Sequence, residues 1–476
     1  MSMISFWLFG LLTAVFCLLY IYDRLKIDDA LRHRLGNFTL IVAGLVFVAY
    51  ANILSAAVLT VITVAAWYFA KNRKYWYIGV ILSVLTLGVF KYTNFVVSST
   101  MEVFGKTGTT LNILLPVGIS FFTFSAVSYI VDVHRGELEA RSLEDVAAYV
   151  TFFPKLTSGP IQRGGDFFAQ SDRRRNVGLA TFLPGVQIFV FGLFKKLVMA
   201  DRLSVFVDQV YDKPMLFSSF SIFLAVIAYS FQIYFDFSGY SDMAIGAAKM
   251  LGYDLPVNFN LPYLAHNVTE LWKRWHITLS TWLMKYVYIS LGGNRKGRAR
   301  TYLNLVLTMV IGGIWHGANW TYIIWGFLHC IALALHKAWM TLTGSNEKKH
   351  SIPANLLSIT VTFLFTTFCW IFFRAPSLQS ALTIIKRMFT FQTGVNQPYF
   401  WLFVTLAMYL IAMFPAVLHS RGRQHKPKKL NTSFVRAEYP VLDLSKFWNL
   451  VAFFVFCGLL VALAYTGGSP FIYGNY

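Results

Sequence analysis

Two histidines stand where an imidazole has something to do. The first lies in Trp315-His316-Gly317-Ala318-Asn319-Trp320, an otherwise apolar stretch with Gly312 and Gly313 before it and Trp325-Gly326 after it. Ionisable groups at membrane depth are costly, because the charged form lacks water there, so they persist where they line a polar cavity or take part in chemistry. A buried imidazole favours its neutral form, which accepts protons. The second, His276, lies in a run from Glu270 to Trp282 in which Trp272, Trp275, Leu279 and Trp282 recur at helical three-to-four spacing. With Lys273, Arg274 and Lys285 on other faces, the pattern predicts an amphipathic helix at the cytoplasmic interface. Alone, such a helix is structural and His276 a hydrogen-bonded side chain; beside His316, a shared site becomes a second reading.

What must hold these residues is a membrane. The chain has 476 residues, is 57% hydrophobic and only 13% charged, against roughly 25% charged in a soluble domain. An all-α, polytopic integral membrane protein follows. Spans are expected at Ile4 to Ile21, Phe38 to Tyr50, Ile53 to Ala70, Trp76 to Phe95, Ile113 to Val133, Phe182 to Val198 and Phe217 to Phe235. Others are expected at Tyr302 to Ile314, Thr321 to Ala338, Ile352 to Phe373, Phe400 to Leu418 and Phe447 to Tyr465. Several are short for a hydrocarbon core of about 30 Å, which implies tilted helices or a thinned bilayer. The first apolar run lacks a basic start and a small-residue cleavage site, so it reads as a retained helix. Cys17, Cys330, Cys369 and Cys457 lie in apolar runs without metal or redox spacing and read as packing residues. His276, His316 and His329 lack the spacing and neighbouring carboxylates or thiolates of a zinc site, so no metal is expected.

The net charge of +20 does not point to nucleic acid, because the basic residues sit in loops between spans. They report topology. Clusters at Arg24 to Arg34, Lys71 to Lys74, Arg173 to Arg175, Arg295 to Arg300, Lys348 to Lys349 and Arg421 to Lys429, all placed in the cytoplasm, put both chain ends outside. An even number of crossings then separates Arg300 from Lys348, so Tyr302 to Ala338 is a helical hairpin or re-entrant pair with His316 in its turn. Fifteen helical residues from Thr301 reach about 22 Å, which places His316 deep and nearer the outer face.

Three long segments also carry a resemblance. Tyr234-Phe235-Asp236-Phe237-Ser238-Gly239-Tyr240-Ser241-Asp242, then Lys273-Arg274-Trp275-His276 continuing to Leu291-Gly292-Gly293-Asn294-Arg295, then Gly313-Ile314-Trp315-His316-Gly317 closely resemble the membrane-bound O-acyltransferase (MBOAT) family, in the family's order. Within that family the chain most resembles the bacterial polysaccharide O-acetyltransferases, of the alginate and peptidoglycan type. Leu115-Pro116-Val117-Gly118 and Phe153-Pro154-Lys155 to Ser158-Gly159-Pro160 support it. The resemblance covers roughly residues 90 to 340 of a single membrane domain, followed by C-terminal helices at 352–465 and an extracytoplasmic tail at 466–476.

The resemblance implies a ring of tilted helices around a tunnel, with about 11–12 spans plus short re-entrant and interfacial helices. It implies His316 as the catalytic histidine and His276 as the family's second histidine-or-asparagine position. It further implies acetyl-CoA as donor, no metal, a polysaccharide acceptor, membrane lipids and an extracytoplasmic esterase-like partner, in the inner membrane. On this reading neutral His316 takes the acceptor hydroxyl's proton while His276 orients the thioester or stabilises the oxyanion. Trp315, Asn319, Asp236, Ser238, Trp275 and Arg274 are the expected tunnel or supporting residues. The tail Phe471-Ile472-Tyr473 resembles the terminus of acyl-relay systems, with Tyr473 as the relay hydroxyl or, alternatively, an interfacial aromatic anchor. Acylation of a lipid, a protein or teichoic acid, by D-alanine-type transfer, remains an alternative, as does a transporter or scaffold of polysaccharide export.

Four further expectations concern buried or basic groups. Asp236 and Asp242 are read as a hydrogen-bond network joining helix ends, with tunnel polarity as the rival. Lys91, Lys195 and Lys196 are expected near span ends, snorkelling to headgroups. His329 and His336 read as packing residues. The basic stretch from His419 to Lys446 reads as a solvated loop.

Overall fold

The computed structural model describes residues 6–106, 111–173, 177–344, 351–397, 400–422, 441–468 and 470–472. Regular structure among them is helical, apart from an isolated bridge between Phe217 and Val395. Eight helices are long and apolar enough to cross a bilayer, and Ile119–His134, Phe400–Ile411 and Phe447–Leu463 are shorter apolar helices. The all-α membrane architecture expected from composition is therefore present.

Boundaries moved where polar residues found partners. Asp29–Ala51 starts well before the expected Phe38, because Asp28 caps it by accepting the Leu31 N–H, and Arg32 pairs with Asp29 and donates to the carbonyls of Leu25 and Ile27. The expected span ending at Val198 instead runs on: Leu179–Phe194 passes through a π-helical turn, Lys195–Ala200, into Asp201–Asp212. Lys195 and Lys196 consequently lie buried in mid-helix, where neither side chain reaches out to solvent. Lys91, likewise, is inside Trp76–Val103, with Nζ 3.4 Å from Ser120 Oγ.

The chain forms two compact units. One comprises the described residues of 6–189 and 240–256. Its helices Phe6–Arg24, Asp29–Ala51, Ile53–Lys71 and Trp76–Val103 pack in chain order, and Ile119–His134, buried from Ile119 to Val133, lies against the last two. A helix apolar all round belongs inside such a bundle. Gly185 and Gly246 meet within this unit: a Cβ on either would come within 2.8 Å of the other's carbonyl oxygen. Small residues let backbones approach where no side chain could fit.

The other unit comprises residues 190–239 and 257–472. It holds the helical hairpin Arg298–His316 and Trp320–Thr343, the helices Ile352–Arg374 and Phe447–Leu463, and the two short helices around His276. Both histidines singled out above belong to this unit.

Candidate active site

His316 is the last residue of its helix, and glycine decides why the chain can turn there. The C-cap Gly317 donates its N–H to the Ile314 carbonyl, and a Cβ on Gly317 would run into the Tyr322 ring. Asn319 then starts the return helix, its Oδ1 accepting the Thr321 N–H at 3.0 Å while its Nδ2 donates to the Pro376 carbonyl at 2.9 Å. The two arms press together through Gly313 and Gly326: a Cβ would lie 2.5 Å from the Tyr322 carbonyl oxygen in one case and 2.6 Å from that of Met309 in the other. His316 is thus delivered, 2% exposed, into a cage of Trp315 at 4.9 Å, Trp325 at 4.9 Å and Phe373 at 5.1 Å between ring centroids.

His276 is held by a different device. The single amphipathic helix expected from the tryptophan spacing is broken into Val268–Arg274 and Ile277–Leu283, with Trp275 and His276 at the break. Helical propensity loses to a neighbouring segment that claims the backbone: Ile277 N–H donates to the Asn258 carbonyl, and Asn260 N–H to the Arg274 carbonyl, each at 2.9 Å. His276 itself takes a left-handed conformation, φ 42°, which costs a non-glycine residue roughly 1–2 kcal/mol. Strain of this kind persists only where surrounding structure enforces it, and it gathers at functional sites.

The same segment sets the imidazole's tautomer. Asn258 Oδ1 receives the Thr278 hydroxyl at 2.6 Å and the Thr278 N–H at 3.4 Å, so this atom is the amide oxygen. His276 Nδ1, 3.3 Å from it, must therefore be the protonated nitrogen of the neutral ring, which leaves a lone pair on Nε2. Burial holds the ring in that form, pushing its pKa down to about 3. Trp315 joins the two histidines: its ring centroid is 6.0 Å from His276 and 4.9 Å from His316. Two imidazoles thus flank one indole in an aromatic interior.

Residues 52–375 match the family model described as MBOAT, membrane-bound O-acyltransferase family. The chain is also 41% identical over 378 residues to the probable alginate O-acetylase AlgI of Pseudomonas aeruginosa, covering 76% of this chain and 71% of that one. It is 40% identical over 346 residues to the peptidoglycan O-acetyltransferase of Helicobacter pylori, covering 67% and 65%. Similarity to the teichoic acid D-alanyltransferase of Streptococcus thermophilus is lower, 33% over 247 residues, covering 48% and 59%. The chain belongs to the MBOAT family. It is a multi-pass membrane O-acyltransferase.

Other residues expected at this MBOAT site divide sharply. Trp275 is buried against Trp370 at 4.9 Å and Phe259 at 5.1 Å, as part of the aromatic wall. Arg274 is a brace: it pairs with Glu270 at 2.7 Å and donates to the Asn260 carbonyl at 3.2 Å. Asn319 is the helix cap described above. Ser238 is buried with no hydrogen-bond partner for its hydroxyl. Asp236 belongs to a buried hydrogen-bonded network that contains an ion pair: its Oδ1 lies 2.6 Å from Lys196 Nζ, which also lies 2.7 Å from Asp201. Tyr473 lies outside the described residues. No group of three or more metal-ligating side chains occurs among the described residues.

Three residues lie beside these groups without having been placed there by sequence reasoning. His329, read as packing, is packed: it is 1% exposed, 5.0 Å from Trp325 and 5.2 Å from Trp272, with both ring nitrogens unbonded. Its position one helical turn after Trp325 was an available signal. Lys196 could have been anticipated too, since a carboxylate in apolar surroundings demands a cation. Asn258 offered none, because its link to His276 exists only in three dimensions.

Proposed function

We propose that this acyltransferase moves an acetyl group from cytosolic acetyl-CoA toward a hydroxyl of an extracytoplasmic polysaccharide. The single observation that carries the mechanism is the pair of imidazoles flanking Trp315. The acceptor class follows from similarity to proteins named for alginate and peptidoglycan O-acetylation, which extends over more of the chain than similarity to the D-alanyltransferase.

In the proposed step the acceptor hydroxyl oxygen attacks the thioester carbonyl while neutral His316 removes its proton. The carbon–sulfur bond then breaks, and the thiolate leaves and takes that proton from His316. The sequence left His276 two roles, and its tautomer separates them. With Nδ1–H committed to Asn258, Nε2 can accept but cannot donate to an oxyanion, so His276 orients the donor by accepting an amide N–H of the thioester arm. As the rings stand His316 is 2% exposed, so turnover requires Trp325 or Phe373 to swing aside.

A tunnel across the inner membrane would reconcile a cytosolic donor with an outside acceptor, and chain ends outside would place the tail at its outer mouth. Tyr473 is proposed to receive the acetyl group there and pass it to an esterase-like extracytoplasmic partner. His316→Ala, at unchanged protein level, is expected to abolish incorporation of isotope-labelled acetyl groups into extracellular polymer; retained incorporation would refute the general-base assignment. Intact-mass analysis of the C-terminal peptide tests the relay, with an acetyl adduct lost in Tyr473→Phe as the expected result.

A further inference from the structure

The C-terminal segment does not leave its last helix freely. Tyr465 N–H donates to the Leu197 carbonyl at 2.9 Å, and the Arg202 guanidinium donates to the carbonyls of Leu463 and Ala464 at 3.1–3.4 Å. Residues Thr466 to Gly468 are exposed, after which the chain returns. Ile472 N–H donates to Asp236 Oδ2 at 2.8 Å, and the Phe471 ring lies 6.2 Å from that of Phe237. Chain ends are ordinarily loose unless something ties them down.

The tie is a buried ionic group. Gly239 lets the Ser219–Met250 helix come so close to the Leu179–Phe194 helix and its π-helical continuation that a Cβ would sit 2.7 Å from the Gly192 carbonyl oxygen and 3.1 Å from the Lys196 nitrogen. That approach brings Lys196 between Asp201 and Asp236, two carboxylates against one ammonium. A carboxylate out of water is costly, and a peptide N–H donated to it offsets part of that cost by a charge-assisted bond. Phe237, the next residue along, touches Phe471 on one side and His276 at 4.6 Å on another.

We propose that Asp236 is a positioning residue whose carboxylate docks the C-terminal segment through the Ile472 N–H, seating Phe471 one ring away from His276 at the acyl-transfer site. The docking stands on geometry alone; its consequence for activity rests on the acetyl-transfer reading above.

The bond is best tested from the tail side, which leaves the buried ionic group whole. Ile472→Pro removes the donor, and Ile472→Ala trims the side chain but keeps the N–H. Hydrogen–deuterium exchange of the full chain in detergent is read in the peptide covering residues 464–476. Exchange at its remaining amides should be at least tenfold faster in Ile472→Pro than in Ile472→Ala, with the peptide covering the Ser219–Met250 helix unchanged in both. Acetyl transfer to polymer should fall by more than tenfold in Ile472→Pro relative to Ile472→Ala. Equal tail exchange in the two variants overturns the docking, and faster exchange with undiminished transfer overturns the positioning role. Failure of the acetyl-transfer reading shows separately, as an unaltered chain that transfers no acetyl group while the exchange comparison still reads out.

Discussion

His316 and His276 reach the same indole by opposite means. His316 ends a regular helix and is placed by what is missing, the Cβ atoms of Gly313, Gly317 and Gly326, which bring it among aromatic rings at 4.9–5.1 Å. His276 occupies a break in helix, at φ 42°, and is placed by what is present: the Asn258 oxygen and the backbone bonds beside it. The difference is chemical as well as architectural. His316 meets the aromatic rings edge-on, the setting proposed above for the group that takes and returns a proton. A ring pinned by a polar clamp has a fixed tautomer and direction, as an orienting group must.

That contrast can be broken at several points. The largest effect is expected at the proton acceptor: His316→Gln should lower kcat by about 10²–10⁴-fold, the range general-base catalysis supplies, with little change in thermal stability. If the two histidines differ in role as argued, His276→Gln should reduce kcat/KM less and raise KM for the donor. Asn258→Ala leaves the His276 ring in place but frees its tautomer, and roughly a tenfold loss of kcat/KM, worth about 1.4 kcal/mol, is expected. No loss there would show that the clamp serves packing alone.

The hairpin side is sharpened by Gly313→Ala, in which the new methyl meets a backbone carbonyl that cannot step aside. Destabilisation by about 1–3 kcal/mol is expected, read as a lower unfolding temperature in detergent. The last effect concerns pH. Burial lowers the pKa of His276 to about 3, below its ordinary value, so as pH falls the unfolded chain takes up this proton before the folded one does. The stabilisation from keeping the ring neutral is complete above about pH 6.5 and is lost progressively toward pH 3. Unfolding temperatures measured from pH 7 to pH 4 should therefore decline less steeply in His276→Asn than in the unaltered chain.

Much of this protein was legible in one dimension. Apolar periodicity identified the helices, basic clusters required a hairpin with His316 in its turn, and three motifs in order placed the chain among the membrane-bound O-acyltransferases. Those features are written in neighbouring residues, because helix formation and loop charge are local properties. Legibility failed where a distant partner overrode a local preference. The Trp272 to Trp282 spacing spelled one continuous helix, yet Asn258 and Asn260 captured its backbone and broke it at His276. Lys196 read as an end-of-span lysine, yet Asp236, forty residues on, drew it into the interior.

The sequence by itself determined an all-helical membrane acyltransferase and pointed to His316 and His276 as its candidate site residues. Only the tertiary structure decided the proton position on His276, the ionic seat at Asp236 and the burial of His329. Each depends on side chains brought together from remote parts of the chain, and a buried polar group takes its state from whichever partner folding delivers, not from its neighbours in sequence.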